Sequence, residues 1–378
     1  DHHGELVDDD VVEVRPDEHA VKTAKGAIVR YDVLIVATGA RAKRLGFAGE
    51  EARNVFRVRA LEEGFALTKF LEQERPRTAV IIGGGYIGME MADAFRAKGL
   101  EVTVVHNDAL PMKGLEKETR ERVRKELEEH GVRFLGPCRV EGFVRGRDET
   151  VSHVATSDGP LEAGVVVVAI GVEPETALAR AAGVRVGATG GILADQRQVT
   201  SVDNIFAAGD CCEVKNLATG RQCYIPLATI ASKAGWTAGE NAAGGNAVFR
   251  GAIRSVAVRV FTLEVAQIGA GEEEARKAGI DAVSETITAW SRVKSMPGSH
   301  EVTVRLLADR KSGRLIGANV HGREGAVLRA NTLAVAIQQR VTIAEMQQWD
   351  LAYSPPFTPL WDPLLVAANA MNRKLRPQ

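Results

Sequence analysis

Three glycines have a spacing that suits phosphate chemistry. Gly83, Gly85 and Gly88 form a GxGxxG pattern directly after the apolar run Thr78–Ile82 and before a segment with helical periodicity. In such a strand–turn–helix unit the first glycine permits the tight turn, the second lets backbone approach a pyrophosphate, and the third permits close helix–strand packing. The helix N-terminus adds a positive dipole end. The pattern therefore predicts a dinucleotide site, against the alternative of a purely structural turn.

A histidine follows the next predicted strand, Glu101–Val105. His106 occupies the position that faces the adenosine ribose in such a unit, where an acidic residue favours NAD. A histidine cannot accept hydrogen bonds as a carboxylate does, and it could tolerate a 2′-phosphate. His106 therefore leaves the choice between NADH and NADPH open, with a simple strand cap as the alternative.

A further apolar strand is predicted within residues 204–210, and it is followed by a glycine and a carboxylate. Open α/β sheets bind ligands at the carboxyl ends of their strands. Asp210, after Gly209, is therefore predicted to bind a hydroxyl of FAD, unless it only caps the next turn. Cys211 and Cys212 follow at once, and because vicinal disulfides are strained we interpret them as inert small residues.

A strand pattern ending in glycine occurs twice, in residues 31–40 and 163–172. Two strand-like segments precede each copy: Val11–Val14 and Ala20–Thr23, then Val140–Val144 and Val151–Thr156. The second copy begins with the GxGxxG unit, whereas no such pattern precedes the first. If the copies share one architecture, about 50 residues or more of the first are expected upstream of Asp1.

The helices and the C-terminal part complete an α/β pattern. The helix after the glycines is expected to bury Ile87, Met91, Ala94 and Phe95, and the charged helix Glu116–His130 is expected to be solvated. A further helix is predicted over Ala228–Ala243. From about Arg250 strands come before helices, which indicates a separate α+β domain. The predicted segments there are strands at 255–262, 284–290, 301–308 and 314–320 and helices at 325–339, 343–349 and 364–375.

Bulk properties exclude several classes of protein. The net charge is −1, which offers no electrostatic case for nucleic acid or an anionic membrane. No apolar run approaches the ~20 residues of a membrane span. The four cysteines and eight histidines show no metal-ligand spacing, so no metal site is predicted. No signal peptide is visible, and the cytoplasm is the expected location.

Several motifs together resemble the pyridine nucleotide-disulfide oxidoreductases. They are Ala37-Thr38-Gly39, Gly83–Glu90, Ala169-Ile170-Gly171 and Ala208-Gly209-Asp210. The tail, residues 350–357 with Trp361-Asp362-Pro363, is similar to one branch of that family. The branch comprises coenzyme A disulfide reductases, NAD(P)H-dependent polysulfide or persulfide reductases, and NADH oxidases and peroxidases.

The resemblance implies an α/β flavoprotein with two dinucleotide-binding (Rossmann-like) domains and an α+β C-terminal dimerisation domain. The implied boundaries are 1–77 with 195–249 for a partial FAD-binding domain, 78–194 for the NAD(P)-binding domain, and 250–378 for the dimerisation domain. The implied enzyme uses FAD and NAD(P)H, forms a homodimer, and passes electrons to a disulfide, a polysulfide or oxygen.

The resemblance also implies roles for individual residues. Tyr353 would reach the active site of the other subunit, and Glu90 would line the nicotinamide path with Tyr86. The cofactor-binding residues implied are Thr38, Gly39, Gly83, Gly85, Tyr86, Ile87, Gly88, His106, Gly171, Gly209, Asp210, Leu227 and Ala228.

Two departures from the family pattern keep alternatives open. The glycine pattern and redox cysteine of the FAD domain would lie upstream of Asp1, and Met296 stands where coenzyme A disulfide reductases have a tyrosine before Pro297-Gly298. One alternative is a flavoprotein that resembles ferredoxin reductases, against which the tail argues. The other is a catalytically inactive nucleotide-binding dimer.

Overall fold

The computed structural model describes residues 4–376, which form two compact units. Unit 1 comprises the chain up to Arg41 together with Val172–Ala252, and unit 2 comprises Ala42–Gly171 together with Ile253–Gln378. Residues 42–77 are therefore grouped with the predicted NAD(P) domain, because Val55–Phe56 joins its sheet. Residues 172–194 are grouped with the predicted FAD domain. The three-domain division itself stays a prediction.

A five-stranded parallel sheet forms the centre of the N-terminal part of unit 2. Its strands, in spatial order, are Val55–Phe56, Val165–Val168, Thr78–Ile82, Glu101–Val105 and Arg133–Leu135. Alternate residues serve opposite faces, as the two-residue period of a strand requires. Ile81 and Val167 pack with the helices, whereas Val80 and Val166 pack with an antiparallel meander.

The helix that follows the glycine pattern, Tyr86–Ala97, buries a different face from the one predicted. Phe95 is buried as expected, but Ala94 is exposed, and Met89 and Ala92 complete the buried stripe. Ile87 and Met91 are only half-buried. The close approach of Gly88 to the preceding turn sets the rotation of the helix, which periodicity alone did not indicate.

The charged helix, Lys117–Glu129, is only partly solvated. Glu126 is fully buried, and its carboxylate accepts hydrogen bonds from the backbone N–H and the hydroxyl of Thr262. Arg122 also donates to it at 2.5 Å. The expectation of a solvated helix is therefore corrected for this face, where a carboxylate is buried because it is paired.

Unit 2 contains two antiparallel sheets as well. The meander has strands Val140–Arg145, Val151–Thr156 and Leu161–Glu162, and the C-terminal sheet has the order Ser255–Val260, Leu263–Gly269, Leu315–Gly322, Glu301–Asp309, Ala282–Trp290. The strand Leu263–Gly269 was missing from the prediction. The other helices of unit 2 are Leu61–Glu74, Glu272–Lys277, Ala326–Gln338, Ile343–Met346 and Pro363–Leu375.

Unit 1 repeats the meander-and-strand pattern. Its meander is Val11–Arg15, Ala20–Thr23 and Ile28–Arg30, and the following strand Leu34–Val36 pairs in parallel with Ile205–Ala207. The remaining elements are the strands Ala40–Ala42, Val172–Pro174, Val214–Lys215 and Gln222–Cys223, the 3-10 turn Pro16–Glu18, and the helices Ala177–Ala181 and Ala228–Ala242. The predicted repeat is thus present in the structure.

The helices are short relative to a bilayer. Ala228–Ala242 has 15 residues, whereas a membrane span needs about 20 apolar ones. Within residues 4–376, no helix combines the length and the apolar character needed to cross a membrane.

Candidate functional site

Backbone packing closes the glycine turn of unit 2. Gly83 has φ +115°, and a Cβ added there would lie 2.3 Å from the carbonyl oxygen of Ala169. A Cβ at Gly88 would lie 2.0 Å from the carbonyl oxygen of Gly83. Neither position can hold a side chain without moving backbone. The first and third glycines are therefore required by the turn itself.

Gly85 differs, because a Cβ added there would meet nothing within 4 Å. It is the N-cap of the helix Tyr86–Ala97 and makes no side-chain capping hydrogen bond. The first amide groups of a helix attract anions when no cap satisfies them. The open side of Gly85 therefore fits a pyrophosphate, as the second glycine of a dinucleotide turn should.

His106 lies against this turn. Its Nδ1 accepts a hydrogen bond from the backbone N–H of Gly84 at 3.2 Å, which leaves the proton of the neutral ring on Nε2. Nε2 is buried and has no hydrogen-bond partner among the described residues. Burial lowers the pKa of His106, so the ring is neutral near pH 7. Its predicted contact with the adenosine ribose stays a prediction.

Tyr86 begins the helix and points its hydroxyl into unit 2. The hydroxyl lies 3.4 Å from Oε1 of Gln267, whose amide nitrogen donates to the carbonyl of Gly114 at 2.9 Å. Burial raises the pKa of Tyr86 to about 12, so it stays a donor at neutral pH. Glu90, one helical turn on, has an exposed side chain. Sequence reasoning missed Gln267 because it lies on the unpredicted strand.

The predicted FAD residues of unit 1 come together at one edge. The parallel pairing of Leu34–Val36 with Ile205–Ala207 places Thr38 and Gly39 beside Gly209 and Asp210, and Ala208 donates to Val36 at 3.1 Å. Gly39 and Gly209 have φ of +70° and +89°. Thr38 donates its hydroxyl to the carbonyl of Glu175. These are the carboxyl ends of parallel strands, where ligands bind.

A helix N-terminus belongs to the same unit. Leu227 is the N-cap of the helix Ala228–Ala242 and makes no side-chain capping hydrogen bond. Asp210 is half-buried, and Ala228 is exposed. The chemistry of these groups fits a phosphate-bearing cofactor.

The tail segment, residues 353–362, is fixed by a buried ion pair. Nε of Arg329 lies 3.0 Å from a carboxylate oxygen of Asp362, and the two side chains are only 12% and 10% exposed. Arg329 also donates to the carbonyl of Ser291, and the hydroxyl of Thr358 donates to Asp362. The sequence signal was the Asp-Pro pair at the helix start, since Asp362 caps Pro363–Leu375 through the N–H of Leu364.

This network leaves the side chain of Tyr353 exposed, as it does those of Phe357 and Trp361. Tyr353 is 50% exposed and begins the tail segment. The backbone of Pro355 accepts a hydrogen bond from Val293, so the tail also lies against the loop that contains Met296. Unit 2 therefore fixes the backbone near Tyr353, and the side chain of Tyr353 reaches solvent.

The structure places the predicted site residues in two sets. Unit 2 holds Gly83, Gly85, Tyr86, Ile87, Gly88, Glu90, His106, Gly171 and Tyr353, and unit 1 holds Thr38, Gly39, Gly209, Asp210, Leu227 and Ala228. Gly171 has φ +98° and accepts a hydrogen bond from the N–H of Lys43. Across residues 4–376, no group of three or more metal-ligating side chains was found. The individual roles of these residues stay predictions.

Comparisons with known proteins match this arrangement. The family model "Pyridine nucleotide-disulphide oxidoreductase" matches residues 4–235, and the dimerisation-domain model of the same family matches residues 256–363. The NAD(P)H sulfur oxidoreductase (CoA-dependent) of Pyrococcus abyssi is 34% identical over 90% of this chain and 76% of its own length. An NADH oxidase of Methanocaldococcus jannaschii is 31% identical over 92% of this chain and 77% of its own length.

A solved structure agrees with these sequence matches. The NAD-dependent persulfide reductase from A. fulgidus superposes with a TM-score of 0.93 at 34% identity, covering 98% of this chain and 69% of the other. The predicted fold class and the predicted class of enzyme, an FAD-dependent NAD(P)H oxidoreductase, are thereby confirmed. The chain belongs to the pyridine nucleotide-disulphide oxidoreductase family.

Proposed function

We propose that this protein transfers a hydride from NAD(P)H to FAD and passes the electrons to a small disulfide, polysulfide or oxygen acceptor. The observation that carries the proposal is the glycine turn of unit 2. A side chain at Gly83 or Gly88 would collide with backbone, whereas Gly85 faces open space at a helix N-terminus. This combination leaves room for a pyrophosphate at the position where the helix dipole favours one.

His106 contributes to the nucleotide end of the site. Its buried Nε2–H lacks a partner among the described residues, and a buried donor left unpaired costs about 1–3 kcal/mol. A hydroxyl or phosphate oxygen of a bound nucleotide would satisfy it. Because the ring is neutral, it neither attracts nor repels a 2′-phosphate strongly, so both NADH and NADPH are substrates in this proposal.

Tyr86 and Glu90 are proposed to flank the nicotinamide. The hydroxyl of Tyr86 donates to Gln267, and this hydrogen bond holds the aromatic ring at the start of the helix. Bound FAD supplies the two-electron acceptor for the hydride, and the protein supplies position and electrostatics. In unit 1, Thr38, Gly209 and Asp210 would hold that cofactor.

Tyr353 is proposed to act in a homodimer, at the active site of the partner subunit. Unit 2 exposes a group of large apolar side chains that a partner would cover: Leu328, Val335, Phe357, Leu360 and Trp361. Leu328 and Val335 lie two turns apart on one helix, Ala326–Gln338, within the segment that matches the dimerisation model. Exposed apolar groups of this size mark interaction surfaces. The hydroxyl of Tyr353 would hold the proton for a departing thiolate or a reduced oxygen species.

The names of the relatives bear on the acceptor and the location. The Pyrococcus abyssi relative is a sulfur oxidoreductase, and the A. fulgidus structure is a persulfide reductase. We favour a sulfur acceptor over oxygen on this ground, with Met296 in place of a tyrosine as the departure from coenzyme A disulfide reductases. All four cysteines are free thiols, which supports a reducing compartment such as the cytoplasm.

Stopped-flow measurements on the flavin-loaded protein test the proposal. NADH or NADPH should bleach the flavin absorbance, and Tyr353→Phe should leave that step unchanged while slowing acceptor turnover about 100-fold or more, the usual scale for loss of a proton donor. Trp361→Phe is the matched control, because it changes another exposed aromatic group of the tail segment without removing a phenol. Absence of bleaching by either nucleotide would instead support the inactive dimer.

Nucleotide choice has its own test. His106→Glu should weaken NADPH binding and spare NADH, because the new carboxylate repels a 2′-phosphate. Isothermal titration with both nucleotides measures the change. A strong preference for NADH in the unaltered protein would contradict the role given to His106.

A further inference from the structure

Cys211 and Cys212 lie on a tight turn that brings their sulfur atoms together. In an extended strand, neighbouring side chains point to opposite faces. Here the N–H of Cys212 donates to the carbonyl of Gly209 at 3.0 Å, which closes a turn over residues 209–212. The two Sγ atoms are 3.7 Å apart as a result. We call this pair the vicinal dithiol.

The two sulfurs have different surroundings. Cys211 is fully buried, and its Sγ lies 3.3 Å from the carbonyl oxygen of Ala208. The contact with Cys212 lowers the pKa of Cys211 to about 7, helped by the N–H of Gly39. The same contact and burial raise the pKa of Cys212. The two sulfurs can therefore exchange a proton across the contact, with Cys211 as its acceptor.

A route from solvent ends at Cys212. That residue is 9% exposed and lines a cavity of about 250 Å³ within unit 1. Glu213, Ile225 and Phe249 are among the other lining residues. A molecule the size of a hydroperoxide fits such a cavity.

The remaining cysteines lack this arrangement. Cys138 is buried and accepts a contact from the hydroxyl of Ser157 at 3.7 Å. Cys223 lies on the strand Gln222–Cys223, with its Sγ 3.3 Å from the carbonyl of Val214. Both serve as internal references for any oxidation of the vicinal dithiol.

We propose that Cys211 and Cys212 form a redox-active vicinal dithiol, which hydrogen peroxide or a small organic hydroperoxide oxidises reversibly to a disulfide. The proposal rests on the 3.7 Å approach of the sulfurs, the turn that fixes it and the cavity that reaches it. The oxidation requires neither flavin nor nicotinamide, although Gly209, a proposed FAD-binding residue, also lines the cavity. The proposal also revises our interpretation of the two residues as inert.

The chemistry balances in two steps. The sulfur of Cys212, which lines the cavity, attacks one peroxide oxygen while its proton passes to Cys211. The O–O bond breaks, Cys212 becomes a sulfenic acid, and the leaving hydroxide takes a proton to become water. The sulfur of Cys211 then attacks that of Cys212, the S–O bond breaks, and a second water leaves as the S–S bond forms. The two thiols lose two hydrogens and two electrons, and one peroxide becomes two waters.

The disulfide between adjacent residues closes a small, strained ring, and this strain affects how readily the disulfide is reduced. Strained disulfides are more readily reduced than relaxed ones. The bond should therefore open quickly with a dithiol reductant. Because Cys211 lies beside the sulfenic acid on Cys212, the pair should stop at the disulfide instead of proceeding to the irreversible sulfinic acid.

Mass spectrometry of the full chain tests the proposal. The reduced protein is treated with hydrogen peroxide, quenched, unfolded and alkylated with N-ethylmaleimide. Two of the four thiols should escape alkylation, and the peptide containing residues 211–212 should be lighter by two hydrogens. Dithiothreitol should restore both alkylation sites. The bulky reagent dithionitrobenzoate should leave the pair unmodified in the folded protein.

Single substitutions sharpen the test. Cys138→Ser and Cys223→Ser should keep the two-thiol loss, whereas Cys211→Ser and Cys212→Ser should abolish it. In Cys211→Ser, dimedone should trap a sulfenic acid on Cys212. The proposal is overturned if, in the unaltered protein, Cys211 and Cys212 can both still be alkylated at a peroxide dose that oxidises Cys223, or if Cys212 ends as a sulfinic acid. The result on the unaltered protein stands even where a variant fails to fold.

Discussion

The two units use glycine for different reasons. In unit 2, a side chain at Gly83 or Gly88 would collide with backbone oxygens at 2.3 and 2.0 Å. In unit 1, Gly39 has open space around it, and the nearest atom to a Cβ at Gly209 would be the Cβ of Ala231 at 3.8 Å. The turn of unit 2 needs glycine for space, with Gly83 also at a positive φ, whereas Gly39 and Gly209 of unit 1 need it only for their left-handed backbone. Replacing a glycine of the turn should therefore cost a different free energy of unfolding in the two units, although the turns resemble each other in sequence.

The largest effect is expected at Gly88. Gly88→Ala should lower the free energy of unfolding by about 3 kcal/mol, because the methyl group forces the helix away from the strand. Urea unfolding measures the change. A loss below about 1 kcal/mol would show that the helix can shift without strain, and would remove the distinction between the two units.

Gly85→Ala is the matched change within the same turn. Its methyl group points into open space, so stability should change by no more than about 0.5 kcal/mol. Binding of NADH should weaken about tenfold, or about 1.4 kcal/mol, because the methyl occupies space that a pyrophosphate approaches. Equal nucleotide affinity in the variant and the unaltered protein would mean that the cofactor does not pass Gly85.

Gly209→Ala tests the second kind of glycine. The expected cost is about 1 kcal/mol, the strain of a left-handed alanine without a steric clash. Gly235→Ala, in the middle of the helix Ala228–Ala242, is the control and should stabilise by about 0.5 kcal/mol. A cost at Gly209 as large as that at Gly88 would contradict the comparison.

The smallest effect concerns pH. The folded-state pKa of His106 is lowered by burial, so the unfolded chain binds its proton more readily. The contribution of neutral His106 to the free energy of unfolding is present above the unfolded-state pKa of about 6.5. It is lost as the pH falls through the folded-state pKa. His106→Gln should flatten the fall in urea midpoint between about pH 7 and about pH 5, whereas His153→Gln should not. An unchanged slope in His106→Gln would show that the ring is solvated.

Local signals predicted the elements well. Thr78–Ile82 and Ala20–Thr23 were predicted with the observed bounds, and the helix Ala228–Ala242 within one residue. Apolar periodicity, glycine stops and an Asp-Pro start are properties of neighbouring residues, so they can be interpreted without knowledge of the fold. The dinucleotide motif was informative for the same reason, since strand, glycines and helix are contiguous.

Features that depend on distant residues could not be predicted. Glu126 is buried because Thr262 donates hydrogen bonds to its carboxylate. Gln267 accepts a hydrogen bond from Tyr86 and lies on a strand that was not predicted, because its polar residues interrupt the apolar pattern. Periodicity suggested that Ala94 was buried, but the packing of Gly88 on Gly83 rotates it outward. The first two outcomes were decided by contacts between segments far apart in the chain, and the third by the packing within a single turn.

The order of the parallel sheet also bears on how the protein folds. Val165–Val168 inserts between Val55–Phe56 and Thr78–Ile82, although it follows both in the chain. The turn at Gly83 closes against Ala169, the residue directly after that strand. Pairings of such high contact order form late and slowly. During synthesis, the nucleotide site should therefore stay incomplete until residue 169 has emerged, and binding of NADH to the nascent chain would report that moment.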